Sequence, residues 1–98
     1  IMGEYEIKKL QIDKAKKLNT TIKPSTNKKK KLDVFDKNGN KVASIGAIGY
    51  KDYATYLTEL PKKDANKKRK NYLARHAKEP KMKDKKRTNS YYADKILW

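Results

Sequence analysis

The side chains that most often perform catalysis are scarce in this chain. His76 is the only histidine, and the 98 residues include no cysteine. This composition excludes histidine-pair metal sites, thiolate zinc sites, iron–sulfur clusters and cysteine nucleophiles. A Ser–His–Asp set could be drawn from Ser44 or Ser90, His76 and an aspartate, but nothing in their spacing supports it. The sequence predicts no enzyme, no metal and no cofactor, and we expect His76 to be a hydrogen-bonded packing residue.

Two glycines three residues apart, Gly46 and Gly49, could be read as a phosphate-binding loop. However, the chain contains neither GxxxxGK[ST] nor GxGxxG. Its 11 acidic residues are scattered among lysines, which would hold the pKa of a carboxyl low rather than raise it for acid catalysis. Because neither phosphate-binding motif is present, we interpret the glycines as residues that let the chain turn out of a strand and pack closely against a helix. Asp52 is the expected N-cap of that helix.

Charge is the strongest signal in the composition. The chain has 27 Lys and Arg against 11 Asp and Glu, a formal net charge of +16 at pH 7. In a chain of this size these positive charges repel one another unless an acidic partner neutralises them. The expected partner is therefore nucleic acid, an anionic membrane or an acidic protein surface. Only Arg69, Arg75 and Arg87 carry the planar guanidinium that reads base edges, which argues against a sequence-specific DNA reader. An AT-rich genome would also raise the lysine content.

Residues 61–88 carry most of this charge, with 13 basic and three acidic residues. Clustering of this kind is the electrostatic footprint of a binding surface. The predicted basic interaction surface consists of Lys62, Lys63, Lys67, Lys68, Arg69, Lys70, Arg75, Lys78, Lys81, Lys83, Lys85, Lys86 and Arg87.

Aromatic residues are interleaved with the lysines and could stack on unpaired bases. The chain has seven Tyr, one Phe and one Trp. Tyr53, Tyr56 and Tyr72 lie on helical stripes that favour a place in the core. The candidates for an aromatic interface are therefore Tyr50, Tyr91, Tyr92 and Trp98.

Residues 1–31 are predicted to form a basic N-terminal arm and linker. Residues 4–18 have apolar side chains partly at helical spacing, with Glu4 near the start, so a helix and an arm that folds on contact both fit. Residues 19–31 have no periodicity, and we interpret them as a solvated connector or an electrostatic contact strand. We expect residues 32–98 to fold without this arm. The predicted arm contacts are Lys28, Lys29, Lys30 and Lys31.

Residues 31–47 predict a β-hairpin. Asn38-Gly39 is the preferred pair for a two-residue type I′ turn, because both of its positions need a positive φ. The resulting register puts one apolar face towards the core, with Phe35 and Val42 on the other face. Its three pairs are Leu32 with Ile45, Val34 with Ala43, and Asp36 with Lys41.

Two helices are predicted after the hairpin, over residues 53–60 and 65–78. Pro61 and Pro80 end them, and Asp64 is the expected N-cap of the second. Residues 79–90 are predicted to be an exposed loop, with Ser90 as the cap of a short terminal helix. The apolar end of the sequence is expected to dock on its own core or on a neighbour.

Three segments carry a resemblance to a known family: GxxGYxDY at residues 46–53, RKxYLARH at 69–76, and the closing SYYADKILW at 90–98. Together they resemble a small uncharacterised family of nucleocytoplasmic large DNA viruses, the giant icosahedral viruses of algae and protists. The resemblance covers roughly residues 32–98. It implies a viral origin more firmly than a mechanism, because this family carries no established enzymatic role. The chain departs from the family in a longer stretch at 54–68 and in a tail that is less rich in tryptophan.

These observations predict an α+β fold, a small single domain at 32–98 with a β-hairpin and two or three short helices. With the resemblance, they predict a structural virion component, a minor capsid (cement) protein of a large icosahedral DNA virus. It would bridge capsid proteins on the inner shell through its basic surface and arm, after assembly in the host cytoplasm or viral factory. Its expected partners are major and minor capsid proteins, with viral DNA or the inner membrane as further ones, and no small-molecule substrate. The alternative is a non-sequence-specific nucleic-acid-binding or genome-condensing viral protein.

Overall fold

The computed structural model describes residues 5–98, and its secondary structure mixes helices with antiparallel strands. The predicted α+β class, with a β-hairpin followed by short helices, is confirmed. No helix in this part of the chain is long and apolar enough to cross a membrane. In chain order the elements are α1 Lys9–Lys17, β1 Thr21–Pro24, β2 Lys30–Phe35, β3 Lys41–Ala47, α2 Tyr53–Glu59, α3 Lys62–Arg75, β4 Met82–Lys83, β5 Lys86–Arg87 and α4 Asn89–Tyr92, which continues into a π-helical segment, Ala93–Leu97.

The predicted hairpin is formed by β2 and β3, and its apolar face is the one expected. Leu32 lies opposite Ile45, and Val34 lies opposite Ala43. All four side chains are buried. Alternation along a strand sends every second side chain to the same face, so the sequence pattern alone placed these four residues together.

The turn of this hairpin differs from the predicted type I′ turn. Asp36 N donates to Asn40 O at 2.9 Å, which encloses a three-residue loop, and within it only Gly39 has a positive φ, +84°. The Asp36 carboxylate accepts hydrogen bonds from the backbone N–H groups two and four residues further on. This side chain therefore selects the longer loop, and Phe35 rather than Asp36 lies opposite Lys41.

Residues 19–31, interpreted as a connector or contact strand, instead contribute an edge strand to the sheet. β1 pairs antiparallel with β2, so the sheet order is β1-β2-β3. Pro24 is tolerated because an edge strand has one side without ladder hydrogen bonds. Asp33 of β2 accepts hydroxyl hydrogen bonds from Ser25, the residue after β1, at 2.6 Å and from Ser44 of β3 at 2.7 Å. Burial alone would raise the pKa of Asp33, but these hydrogen bonds hold it below its ordinary value.

α1 begins at Lys9 rather than at residue 4, and Glu4 lies outside the described residues. The inward side of α1 carries Gln11 and Ala15, which are both buried. The Gln11 side chain accepts from Lys8 N at 3.0 Å and so takes the place of an acidic cap. Because these side chains are covered by the sheet and the C-terminal segments, the described part of the predicted arm packs on the domain instead of extending from it.

The predicted helix after the hairpin is α2, and Asp52 is its N-cap, accepting from Thr55 N at 3.0 Å. The second helix, α3, begins at Lys62, earlier than expected. Asp64 therefore lies in its first turn, and Pro61 occupies the N-cap position. Proline fits at a helix start because the first N–H groups there have no intrahelical acceptor, so Pro61 begins α3 as well as ending α2.

The C-terminal third is more ordered than the predicted exposed loop. β4 and β5 form a small hairpin, and its turn residues Asp84 and Lys85 both have positive φ, 52° and 65°. Thr88, not Ser90, caps α4, because its hydroxyl accepts from Tyr91 N at 3.2 Å. The closing residues dock on the chain's own core, which was one of the two expected outcomes.

The core lies between the sheet, α1 and the C-terminal segments. Three large apolar side chains, Val42, Ile48 and Leu73, stay outside the core and are more than a third exposed. Val42 is exposed because it lies on the face of β3 opposite to Ala43. The buried members of the core are Ala15, Leu32, Val34, Ala43, Ile45, Tyr92, Ala93, Ile96 and Leu97.

At Gly46, β3 passes close to the side chain of Leu97 in the C-terminal segment. The φ of Gly46 is +79°, and a Cβ there would lie 2.8 Å from Leu97 Cδ1 and 3.0 Å from Lys31 Cδ. We expect Gly46→Ala to lower the free energy of unfolding by about 2–4 kcal/mol, through left-handed strain and steric overlap together. Gly39→Ala is the matched control, because its φ is +84° and nothing lies within 4 Å of its Cβ position. Equal losses in urea denaturation would contradict the packing role of Gly46.

Candidate basic interface and aromatic groove

Exposed lysines form a row on the outward side of α3. At about 100° per residue, Lys63, Lys67 and Lys70 project within roughly 60° of one another, on the side opposite the buried Ala65. They follow one another along the axis at about 6 and about 4.5 Å. No carboxylate among residues 5–98 lies within 4.0 Å of their ammonium groups. We call these three lysines the α3 ridge.

The other predicted basic residues divide between the surface and structural positions. Three of them are partly buried and support the fold. The Arg69 guanidinium lies 4.3 Å from the Tyr53 ring centroid, and Lys81 Nζ lies 2.7 Å from Asp94 Oδ2. Arg87 donates to the carbonyl oxygen of Leu18, at the end of α1, at 3.0 Å. The exposed ones are Lys62, Lys68, Arg75, Lys78, Lys83, Lys85 and Lys86.

The four predicted arm contacts are not equivalent. Lys28 and Lys29 are exposed, and Lys30 is half-buried. Lys31 is only 5% exposed, and its Nζ lies 3.0 Å from Asp52 Oδ2. Because β2 is the central strand and is covered on both faces, the side chain of Lys31 is enclosed and cannot serve as an arm contact.

Asp52 is the centre of a buried polar network. Its carboxylate accepts from Tyr5 Oη, from Lys31 Nζ and from Thr55 N. Tyr5 Oη in turn accepts from Gln11 Nε2 at 2.7 Å. Burial alone would raise the pKa of Asp52, but the hydrogen bonds from Tyr5 and Thr55 and the charge of Lys31 hold it below its ordinary value. The network joins α1, β2 and α2, and we interpret it as a structural feature.

The predicted aromatic interface residues occupy different environments. Tyr50 is 76% exposed. Tyr92 is only 6% exposed and belongs to the core, because α4 turns it towards the sheet. Tyr91 is half-buried and meets Tyr92 edge-on at 5.7 Å. Trp98 is half-buried and stacks on Tyr72, with ring centroids 4.3 Å apart and planes 8° from parallel.

A groove of about 810 Å³ lies between β3, α3 and the C-terminal segments. The stacked rings of Trp98, Tyr72 and His76 line it, with centroid distances of 4.3 and 4.2 Å. Tyr56 lies tilted against Trp98 at 6.1 Å, and Tyr50 borders the groove. Its volume is in the range of about 300–1,000 Å³ that ligand pockets occupy. We call this feature, lined by these five aromatic side chains, the aromatic groove.

Cations surround the aromatic groove. Lys30, Arg75 and Lys83 line it, and no carboxylate within residues 5–98 comes within 4.0 Å of their charged groups. Lys51 also lines the groove but is paired with Glu59 at 2.5 Å. Among the described lining residues, Glu79 has the one side-chain carboxylate. The groove therefore combines apolar rings with unpaired positive charge.

His76 is a hydrogen-bonded packing residue, as expected. Its Nδ1 lies 2.6 Å from Glu79 Oε2, and the other carboxylate oxygen, Oε1, accepts from the Ser90 hydroxyl at 2.8 Å. These hydrogen bonds lower the pKa of Glu79. Burial, with the nearby carboxylates of Asp94 and Glu79, raises the pKa of Tyr72 to about 12, so this phenol stays neutral. In the described part of the chain, no group of acidic and histidine side chains is arranged to hold a metal.

The aromatic groove was not predicted from the sequence, although the spacing of two residues indicates part of it. Tyr72 and His76 are four residues apart on a helix, a spacing that puts two rings on the same face. Trp98 has no such signal, because its place beside Tyr72 depends on the path of the whole C-terminal segment.

Comparison with known proteins identifies a family that the chain matches. No curated protein and no solved structure is significantly similar to the chain. Residues 20–76 match a family of unknown function, DUF5754, and this span runs from just before β1 to the end of α3. Since the match covers more than half of the chain, the protein belongs to the DUF5754 family.

Proposed function

We propose that the protein is a structural component of a virion, a minor capsid (cement) protein on the inner shell of a large icosahedral DNA virus. The viral assignment rests on the resemblance described above, whose first two motifs, at 46–53 and 69–76, fall inside the span that matches the family. The mode of action rests on charge. A protein of net charge +16 at this size binds acidic surfaces on its neighbours, and the shell of a virus offers a fixed arrangement of them.

The observation that carries the proposal is the α3 ridge. Ion pairs elsewhere in the domain neutralise Lys9, Lys31, Lys41, Lys51 and Lys81. The ridge lysines have no such partner among residues 5–98, and they lie on a rigid helix rather than a loop. Because residues 5–31 pack on the domain, the basic surface, rather than an extended arm, makes the contact to neighbouring capsid proteins in this proposal.

A second candidate function is non-specific binding of nucleic acid, and the same ridge favours it. Lysines on successive turns of one helix face present point charges at close spacing, which suits phosphates irrespective of sequence. The two functions differ in the partner, which is an acidic protein surface in the first and the viral genome in the second.

Replacing all three ridge lysines by glutamine is expected to lower the occupancy of the protein in particles about tenfold. Each exposed ion pair contributes about 0.5 kcal/mol, so three together approach a factor of ten. The measurement is quantitative mass spectrometry of purified, nuclease-treated particles after gentle separation of shell from genome-containing core. The matched control removes the same charge elsewhere on the surface, as Lys16→Gln, Lys17→Gln and Lys37→Gln.

The two candidates give different results in this experiment. Recovery with the shell at a fixed ratio to the major capsid protein supports the minor capsid function. Recovery with the genome supports the second candidate, and the ridge variant should then show a slope of log affinity for duplex DNA against log salt that is smaller by about 2–3. Equal incorporation of the wild type, the ridge variant and the control would refute the assigned surface.

A further inference from the structure

The aromatic groove is not used by the proposed function. Tyr72 and His76 lie on the inner side of α3, roughly opposite the α3 ridge on a helix with about 100° between residues. A ligand in the groove would therefore leave the ridge free for another partner. The inference that follows goes beyond the proposed function and does not depend on it.

The walls of the groove suit a flat, unsaturated ligand. Trp98 and Tyr72 form a nearly parallel pair, and His76 extends the stack on the other side of Tyr72. Tyr50 borders the same space and is 76% exposed. Because its ring is not part of the core, it is available to cover a ligand. Because the rings within this stack already cover one another, the faces open to a ligand are those at the ends of the stack and the ring of Tyr50. Such faces bind planar ring systems by stacking, with little dependence on which ring is bound.

The border of the groove suits an anion. Lys30, Arg75 and Lys83 come from β2, α3 and β4, so their unpaired charges approach the groove from three different elements. Arg75 adds a planar fork that can bind two phosphate oxygens together. A ligand that suits both the walls and the border of the groove carries flat rings together with several negative charges.

We propose that the aromatic groove binds single-stranded nucleic acid. Unpaired bases lie against the rings of Trp98 and Tyr50, and the phosphates of the same strand lie against Lys30, Arg75 and Lys83. Other polyanions satisfy only half of this description. A duplex keeps its bases stacked on one another and offers no ring face, and an acidic polypeptide has the charge but no ring at each repeat.

The chain carries its own reporter for this site, because Trp98 is the only tryptophan. Titration of the full-length protein with a short oligodeoxythymidylate should quench the fluorescence of Trp98 saturably. An abasic oligomer of the same length, a duplex and polyglutamate are the comparison ligands. We expect the dissociation constant for oligodeoxythymidylate to be at least about tenfold lower than that for the abasic oligomer, because only the former has bases to stack.

Variants on the groove border test the assignment of residues. Tyr50→Ala and Arg75→Gln change exposed side chains, and each should weaken oligodeoxythymidylate binding about tenfold. Lys37→Gln, with the same charge loss as Arg75→Gln, should leave the affinity within about twofold. The ridge variant should keep the preference for bases over abasic sugar, which separates a failure of this proposal from a failure of the proposed function.

Three results would overturn the proposal. The abasic oligomer could bind as tightly as oligodeoxythymidylate, which would mean that only phosphates are bound. Polyglutamate or duplex could quench Trp98 with the same affinity, which would assign the groove to another partner. Finally, binding unchanged in both Tyr50→Ala and Arg75→Gln would place the strand elsewhere on the protein.

Discussion

Lys31→Met is expected to lower the free energy of unfolding by about 3–5 kcal/mol at neutral pH. The Asp52 carboxylate is 1% exposed, and Lys31 is its only cationic partner in the described part of the chain. Removing the ammonium group leaves a buried charge held only by hydrogen bonds from Tyr5 and Thr55. A domain of this length has a total stability of about 5–15 kcal/mol, so the loss is a large share of the whole.

Urea denaturation followed by circular dichroism measures this effect, and two variants serve as controls. Lys9→Met breaks an exposed pair with Asp13, whose side chains are 89% and 46% exposed, and should cost less than about 0.5 kcal/mol. Lys31→Met combined with Asp52→Asn should recover most of the loss, since the amide still caps α2 without an unpaired charge. Similar losses in Lys31→Met and Lys9→Met would contradict the buried pair.

The same pair gives the wild-type protein an acid-sensitive contribution to stability. Because folding lowers the pKa of Asp52 below its ordinary 3.8, this contribution is present above that value and is lost as the pH falls through the lower, folded pKa. Protonated Asp52 no longer attracts Lys31. In Lys31→Met the buried carboxyl lacks its cation, so its pKa lies above that of wild-type Asp52. The difference in stability between the two proteins should therefore narrow across the acid range and be smallest below the folded pKa of wild-type Asp52.

Deleting residues 1–24 is expected to abolish cooperative unfolding of the remainder. The deletion removes β1 from the sheet, the buried Gln11 and Ala15 of α1, and the Tyr5 hydroxyl that binds Asp52. Without α1, the side of the core that this helix covers would be exposed to solvent. This reverses the expectation from the sequence that residues 32–98 fold without the arm.

The fragment 25–98 should show no cooperative thermal transition, and adding the peptide 1–24 in trans should restore it. Two point variants in the full chain locate the effect on one side of α1. Gln11→Ala, at a fully buried position, should cost about 1–3 kcal/mol, whereas Ile12→Ala, at a position 39% exposed, should cost less than about 1 kcal/mol. A fragment 25–98 with the stability of the full chain would contradict the packing of α1 and β1.

Features that depend on neighbouring residues were readable from the sequence. The hairpin and its buried face followed from the alternation at Leu32, Val34, Ala43 and Ile45, and the start of α2 followed from Asp52. In each case the interacting groups are close along the chain, so residue type and spacing decide the geometry. Where two local signals competed, the sequence did not show which of them decides the geometry. The hydrogen bonds of Asp36 select a longer loop than the type I′ turn that Asn38-Gly39 favours, and Thr88 rather than Ser90 caps α4.

Only the tertiary structure decided the features that join distant parts of the chain. In the sequence, Lys31 is the last of four consecutive lysines that were expected to be solvated. In the structure its side chain is buried, because it pairs with Asp52, 21 residues further along the chain. The aromatic groove needs Trp98 beside Tyr72, and β1 became a strand because β2 offered it a free edge. No periodicity encodes these pairings, because they arise when separate elements cover one another's surface. The sequence by itself determined the charge, the hairpin and the α+β class, and packing determined which lysines and aromatic rings remain free to bind a partner.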